Sequence, residues 1–258
     1  MHRPLCILFV LLTSPGSWAA TVNDLPWSFK PLKSATLPNI QQPDWPQTRL
    51  DHFILSRMEK EGLQPAKAAE DRVILRRLYF DLIGLPPTQK QMDTFKREDF
   101  AKTVDQLLAS PHYGERWGRH WLDLARYTDK TASWLNSTAS AWLYRDWVVK
   151  ALNDDLPYNT FVKKQLANDL MAGSDPKDNA ALGFLGLSPT YWKELQLPPE
   201  IIKTTVADEW EEHMDALGRT FLGLAFGCAR CHDHKSDPVT QEDYYAIAGV
   251  FASVRITD

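Results

Sequence analysis

From Leu50 to Phe251 the apolar residues recur every three or four positions, and strand-like alternation is scarce. That period puts side chains on one face of a helix, so the chain is constrained to an all-α fold, an irregular multi-helix domain. Proline and glycine punctuate the pattern. Leu50, Phe53, Ile54 and Met58 predict a helix beginning near Thr48 and stopping at Gly62; Ile74, Leu75, Leu78 and Leu82 predict one from about Asp71 to Gly84, ahead of Pro86 and Pro87. Thr88 with Gln91 forms a capping box for a short helix through Met92 and Phe95. Phe100, Val104, Leu107 and Leu108 mark the next helix, and Ser110-Pro111 supplies an N-cap and a first-turn proline for one reaching about Tyr127. Further helices are expected through Trp142, Trp147 and Leu152, through Phe161, Leu166 and Leu170, and briefly within 175–186. A long periodic segment runs from about Glu200 through Trp210, Leu217 and Leu224, and a last helix carries Tyr244, Ile247 and Phe251 behind a Thr240/Asp243 cap.

Ahead of this helical domain, 48–258, the chain has a different character. Met1-His2-Arg3 is basic, Leu5 to Thr13 is apolar, and Ser17-Trp18-Ala19 offers small residues at a cleavage site, so residues 1–19 read as a secretory signal peptide. The expected mature protein is exported, to the periplasm or beyond the cell. No stretch approaches the roughly 18 apolar residues of a membrane span, so no transmembrane segment is expected. Residues 20–47 carry Pro26, Pro31, Pro38, Pro43 and Pro46 without periodicity and read as an extended arm, which Trp27, Phe29 and Trp45 are expected to dock. The net charge of −4 and the lack of a Lys/Arg cluster argue against nucleic acid as a partner. Ten tryptophans point to aromatic packing, with stacking against a polysaccharide as the alternative.

The chemistry concentrates in Cys228-Ala229-Arg230-Cys231-His232, followed by Asp233-His234-Lys235. This is the C-x-x-C-H spacing of c-type haem attachment, in which two thiols bond the porphyrin vinyl groups and the adjoining imidazole ligates the iron. Cys6 would leave with the signal peptide, so these are the only thiols of the mature chain. Two other readings compete. Cys228, Cys231 and His234, with Asp237, would suit zinc. A disulfide or redox pair is the other, although a redox dithiol normally sits in a βαβ setting that this chain lacks. For a second axial iron ligand His120 is the first candidate, with His112, Met171 and Met214 behind it. His234 is too close to His232, and His213 would lie about 22 Å away along an unbroken helix.

The segment before Tyr127 is the next most informative. Trp117, Trp121 and Leu124 form its apolar stripe, and Arg116, Arg119, His120, Asp123 and Arg126 fill the other side. A surface face with an Arg119–Asp123 pair one turn apart explains it simply. The alternative makes Arg119 or Arg126 the partner of haem propionates and lets His120 reach an iron. Glu209 and His213 read as part of an acidic helix face. No G-x-S-x-G, phosphate loop or dinucleotide fingerprint is present, and no catalytic constellation is evident. A hydrolase built on His120, Asp123 and Asp129 is the weakest reading.

Several segments together carry a family resemblance: Asp71-Arg72 with Leu75-Arg76-Arg77-Leu78 and Asp81 to Thr88; Leu107 to Trp117; His120-Trp121-Leu122-Asp123-Leu124-Ala125-Arg126-Tyr127; Tyr144-Arg145-Asp146-Trp147; and Gly227 to Lys235. They resemble a domain of unknown function found in large exported proteins of planctomycetes and related bacteria, commonly beside a planctomycete-type cytochrome c domain. The resemblance spans about 47 to 256 and implies a redox partner or cytochrome module as a partner. The leading expectation is thus an exported c-type haem-binding protein in electron transfer or a redox-accessory role. The alternative is a binding or scaffold domain with a structural metal or disulfide at Cys228 and Cys231, acting in polysaccharide processing.

Overall fold

Ten α-helices joined by 3-10 turns, and no strand, make up the described residues, 26–128, 140–186 and 198–253 of the computed structural model. Residues 1–19, expected to be a signal peptide, lie outside them. None of the described helices is long and apolar enough to cross a membrane. The chain divides after Pro65 into two units.

The first unit holds a 3-10 turn, Trp27–Phe29, an irregular proline-rich stretch, and α1, Arg49–Lys60. Asp51 caps α1 by accepting from the Thr48 N–H at 2.8 Å. The arm is tied down through its backbone: Glu59 accepts from the amides of Gln41 at 2.9 Å and Gln42 at 3.3 Å, and Arg49 donates to the Ala35 carbonyl at 3.0 Å. Trp27 stays 87% exposed.

The second unit begins with α2, Asp71–Leu82, α3, Gln89–Thr94, and α4, Phe100–Leu108. Thr88 forms the expected box, its hydroxyl accepting from the Gln91 amide and its own amide donating to the Gln91 side chain. Helix α5, Pro111–Leu124, opens on Ser110 and Pro111 as anticipated and packs along α6, Ala141–Asn153. Their close approach depends on Gly114, where a Cβ would fall 2.4 Å from the Val149 carbonyl oxygen. In place of a side chain, the Gly114 amide donates to Asn153 Oδ1 at 2.8 Å, and Asn153 Nδ2 donates to the Pro111 carbonyl at 3.0 Å.

Helices α7, Tyr158–Ala167, and α8, Gly183–Gly186, close a core around Tyr144, Trp147, Val148, Phe161 and Phe184. Trp121 meets Phe161 edge-on at 4.8 Å and Trp147 stacks on it at 5.3 Å, so the tryptophans serve packing here. One polar knot is buried with them. Gln165 Oε1 accepts from Tyr144 Oη and from Trp121 Nε1, both at 2.8 Å, while its Nε2 donates to the Phe161 carbonyl. Every polar atom of that cluster thus keeps a partner away from water.

Helix α9, Pro199–Leu217, joins this core to a second one, giving Ala216 to the first and Met214 to the other. The single long helix expected as far as Leu224 does not form. After Leu217 the chain widens into a π turn, Gly218–Leu222, and stops at Gly223, whose φ of 67° an L side chain rarely adopts. Gly218 explains the fold-back: Phe226 packs so closely that a Cβ there would lie 2.3 Å from its ring. The chain therefore returns beside α9 and delivers the cysteine motif against it, ahead of α10, Gln241–Ser253.

Candidate functional site

Cys228-Ala229-Arg230-Cys231-His232 is carried by a 3-10 turn, Gly227–Arg230, with Cys231 as its C-cap. Residues three apart eclipse on such a turn, so Cys228 and Cys231 occupy one face. Both are exposed free thiols. The two residues between them anchor the turn instead. Ala229 is wholly buried in the second core with Met214, Phe226, Val239, Tyr244 and Ala248. Arg230 reaches back to α9, donating to Glu211 at 2.6 Å and Asp208 at 3.0 Å, and these bonds hold its proton more tightly than usual. Its carbonyl accepts from Gln241 Nε2 at 3.0 Å and Tyr245 Oη at 3.2 Å, both on α10. A buried methyl, a clamped guanidinium and a doubly bonded carbonyl thus fix the turn with its sulfurs outward.

The residues after the motif lock its exit. Asp233 accepts from the Gln241 amide at 2.9 Å, and Asp237 accepts from the Ala225 amide at 3.0 Å, closing the loop on its own entrance. Thr240 and Asp243 form the expected cap, with the Asp243 amide donating to Thr240 Oγ1 at 3.1 Å.

The two histidines of this loop have opposite tautomers. His232 Nδ1 lies 2.8 Å from the Asp233 carbonyl oxygen, which can only accept, so Nδ1 carries a proton and in the neutral ring the lone pair is on Nε2. A metal-binding imidazole is commonly oriented in this way. His234 Nδ1 instead accepts from the amides of Asp237 at 2.7 Å and Ser236 at 3.2 Å, so its proton sits on Nε2. His234 holds the turn and offers no free lone pair. Among the described residues no three His, Cys, Asp or Glu side chains gather to hold a metal ion, so Cys228, Cys231 and His234 do not form a zinc set in this arrangement.

The donor set fits covalent haem: two exposed thiols on one face, and a neighbouring imidazole with its ligating nitrogen open. The other predicted site residues lie elsewhere. His120 is on α5, its ring 5.6 Å from that of Trp117. Arg119 lines a groove between α5 and α6 and does not pair with Asp123. Arg126, at the end of α5, bonds Glu212 and Asp215 of α9, the latter at 2.6 Å, so its charge is answered within the protein. His112 pairs with Glu115 at 2.7 Å. Met214 is a core residue beneath the motif, and Asp129 lies outside the described residues.

Sequence reasoning missed the anchoring role of Arg230, Asp233 and Asp237. The acidic residues Asp208 and Glu211 ahead of an arginine set inside the cysteine motif were the available signal. The reading of His213 as part of an acidic helix face is corrected: it is buried among apolar residues, with Nε2 unbonded and its ring 5.5 Å from Phe251. Burial pushes its pKa down to about 4.

Residues 49–256 match the family described as PSCyt2, protein of unknown function (DUF1549). The chain belongs to the PSCyt2 family. PSCyt2 is a planctomycete cytochrome-associated domain of unknown function, in agreement with the resemblance read from the sequence. No curated protein and no solved structure matches this PSCyt2 chain.

Proposed function

We propose that this chain is an exported c-type haem-binding protein with an electron-transfer or redox-accessory role. Cys228 and Cys231 would hold the haem as thioethers, and His232 Nε2 would ligate its iron. The observation that carries the reading is the outward presentation of two thiols on one face, beside an imidazole whose only open nitrogen can ligate. Attachment would join each sulfur to one vinyl carbon and leave the thiol hydrogen on the other, so it would consume no oxidant and would need both thiols reduced. Bound haem would supply a one-electron couple.

The chain's own part is rigid presentation. Arg230 and Ala229 hold the turn from behind, and the Asp233 carbonyl keeps His232 in the ligating tautomer. Because the cysteines and His232 are exposed, electrons would pass at the surface to a redox partner or a neighbouring cytochrome module. The signal-like first 19 residues support export, which brings the thiols to the compartment where such attachment takes place.

The test is a pyridine haemochrome spectrum of the protein exported from a host with c-type maturation machinery, beside Cys228→Ala/Cys231→Ala. A haem band that survives acid-acetone extraction and is missing from the variant supports the proposal. A colourless wild type beside a coloured control cytochrome contradicts it.

A further inference from the structure

We propose that the groove between α5 and α6 binds a neutral, polyhydroxylated ligand, a short stretch of uncharged oligosaccharide. The groove is separate from the cysteine motif and has a volume of about 670 Å³, within the roughly 300–1,000 Å³ of small-molecule sites. It is built by side chains spaced one turn apart on each helix: Glu115, Arg119 and Asp123 from α5, and Asp146, Lys150 and Asn153 from α6.

Its charges set the ligand class. Arg119, Lys150 and Arg145 stand against Glu115, Asp123 and Asp146, three of each sign, so an anionic or cationic polymer would meet as much repulsion as attraction. Most of these charges are already answered. Arg145 lies 2.9 Å from Asp146, Lys150 bonds Asp154, and Glu115 pairs with His112 at 2.7 Å. Arg119 and Asp123 are different: among the described residues neither side chain has a hydrogen bond or an ion pair, although they sit one turn apart on the same wall.

A guanidinium only donates and a carboxylate only accepts. A ligand that satisfies both within one turn of helix therefore needs groups that do each, and vicinal hydroxyls do so without carrying charge. Asn153, which has donors and an acceptor, extends the same surface along α6, and Leu122, Val149 and the Tyr127 ring give an apolar wall for the faces of sugar rings. A peptide would look for deep apolar anchor pockets or a strand edge, and this polar, helix-walled groove has neither.

The test is native electrophoresis of the full chain through gels containing a soluble β-glucan, xylan or galactomannan, with alginate as the acidic polymer. Wild type is expected to be slowed by at least one neutral polymer and not by alginate. Arg119→Ala and Asp123→Ala, both exposed positions, should each weaken that retardation about tenfold while circular dichroism stays unchanged. No retardation by any neutral polymer, retardation by alginate alone, or variants slowed as much as wild type would overturn the proposal. The readout does not involve haem, so the haem reading and this one can fail separately.

Discussion

Arg230 Nη1 lies 2.6 Å from Glu211 Oε2, an ion pair that runs from between the two cysteines to the flank of α9. With Asp208 at 3.0 Å it turns an arginine inside the motif into the motif's mooring. Both side chains are about one-third exposed, so the pair contributes modestly to stability and chiefly to position. Arg230→Ala is expected to destabilise the fold by about 1 kcal/mol and to make Cys228 alkylate faster, because its turn loosens. A thermal melt and a timed alkylation assay check this. Unchanged alkylation would show that the buried Ala229 and the Arg230 carbonyl hold the turn without the guanidinium.

Gly114 and Gly249 offer a matched pair of substitutions. A Cβ at Gly114 would strike the Val149 carbonyl oxygen at 2.4 Å and Asn153 at 2.7 Å, both on α6, whereas Gly249 in α10 has nothing within 4 Å. Gly114→Ala should cost about 2–3 kcal/mol through forced separation of α5 and α6. Gly249→Ala should stabilise by about 0.5–1 kcal/mol through helix propensity. Urea denaturation midpoints of the two variants are predicted to move in opposite directions.

Buried His213 makes stability fall in mild acid. Desolvation holds its pKa at about 4, below the ordinary 6.5, the nearby Arg126 charge acts the same way, and a backbone bond with Leu185 opposes them. Between those two values the unfolded chain binds more protons than the folded one, so this contribution is complete above about pH 6.5 and is lost on the way down to pH 4. The loss is about 3 kcal/mol at most. His213→Leu should flatten the difference in urea midpoint between pH 7 and pH 4.5. Equal pH sensitivity in wild type and variant would place the acid lability elsewhere.

The local signals of the sequence translated directly. Thr88 with Gln91, Ser110 with Pro111, and Thr240 with Asp243 cap helices where their spacing says they should, because capping is decided within one turn. Periodicity failed where tertiary packing overruled it. Leu217 to Leu224 keeps a helical rhythm, yet the contact between Gly218 and Phe226 breaks the helix and brings the motif back beside α9. That break also removes the premise that His213 lies 22 Å along a continuous helix from Cys228. Pairings across elements were not legible. Arg126 finds Glu212 and Asp215 from a distant part of the chain, while the expected Arg119–Asp123 pair is not made. Within the motif, spacing singled out Cys228, Cys231 and His232, but only the fold shows that Ala229 and Arg230 turn inward so that the thiols face out.

The central claim is that Cys228 and Cys231 each carry a thioether to one haem, and the intact mass of the exported protein tests it most directly. Protein matured beside a functioning c-type control is predicted to weigh the polypeptide plus one haem under denaturing conditions, and Cys228→Ala/Cys231→Ala to weigh the polypeptide alone. A wild type at bare polypeptide mass, with its thiols free or joined to each other, would contradict the account.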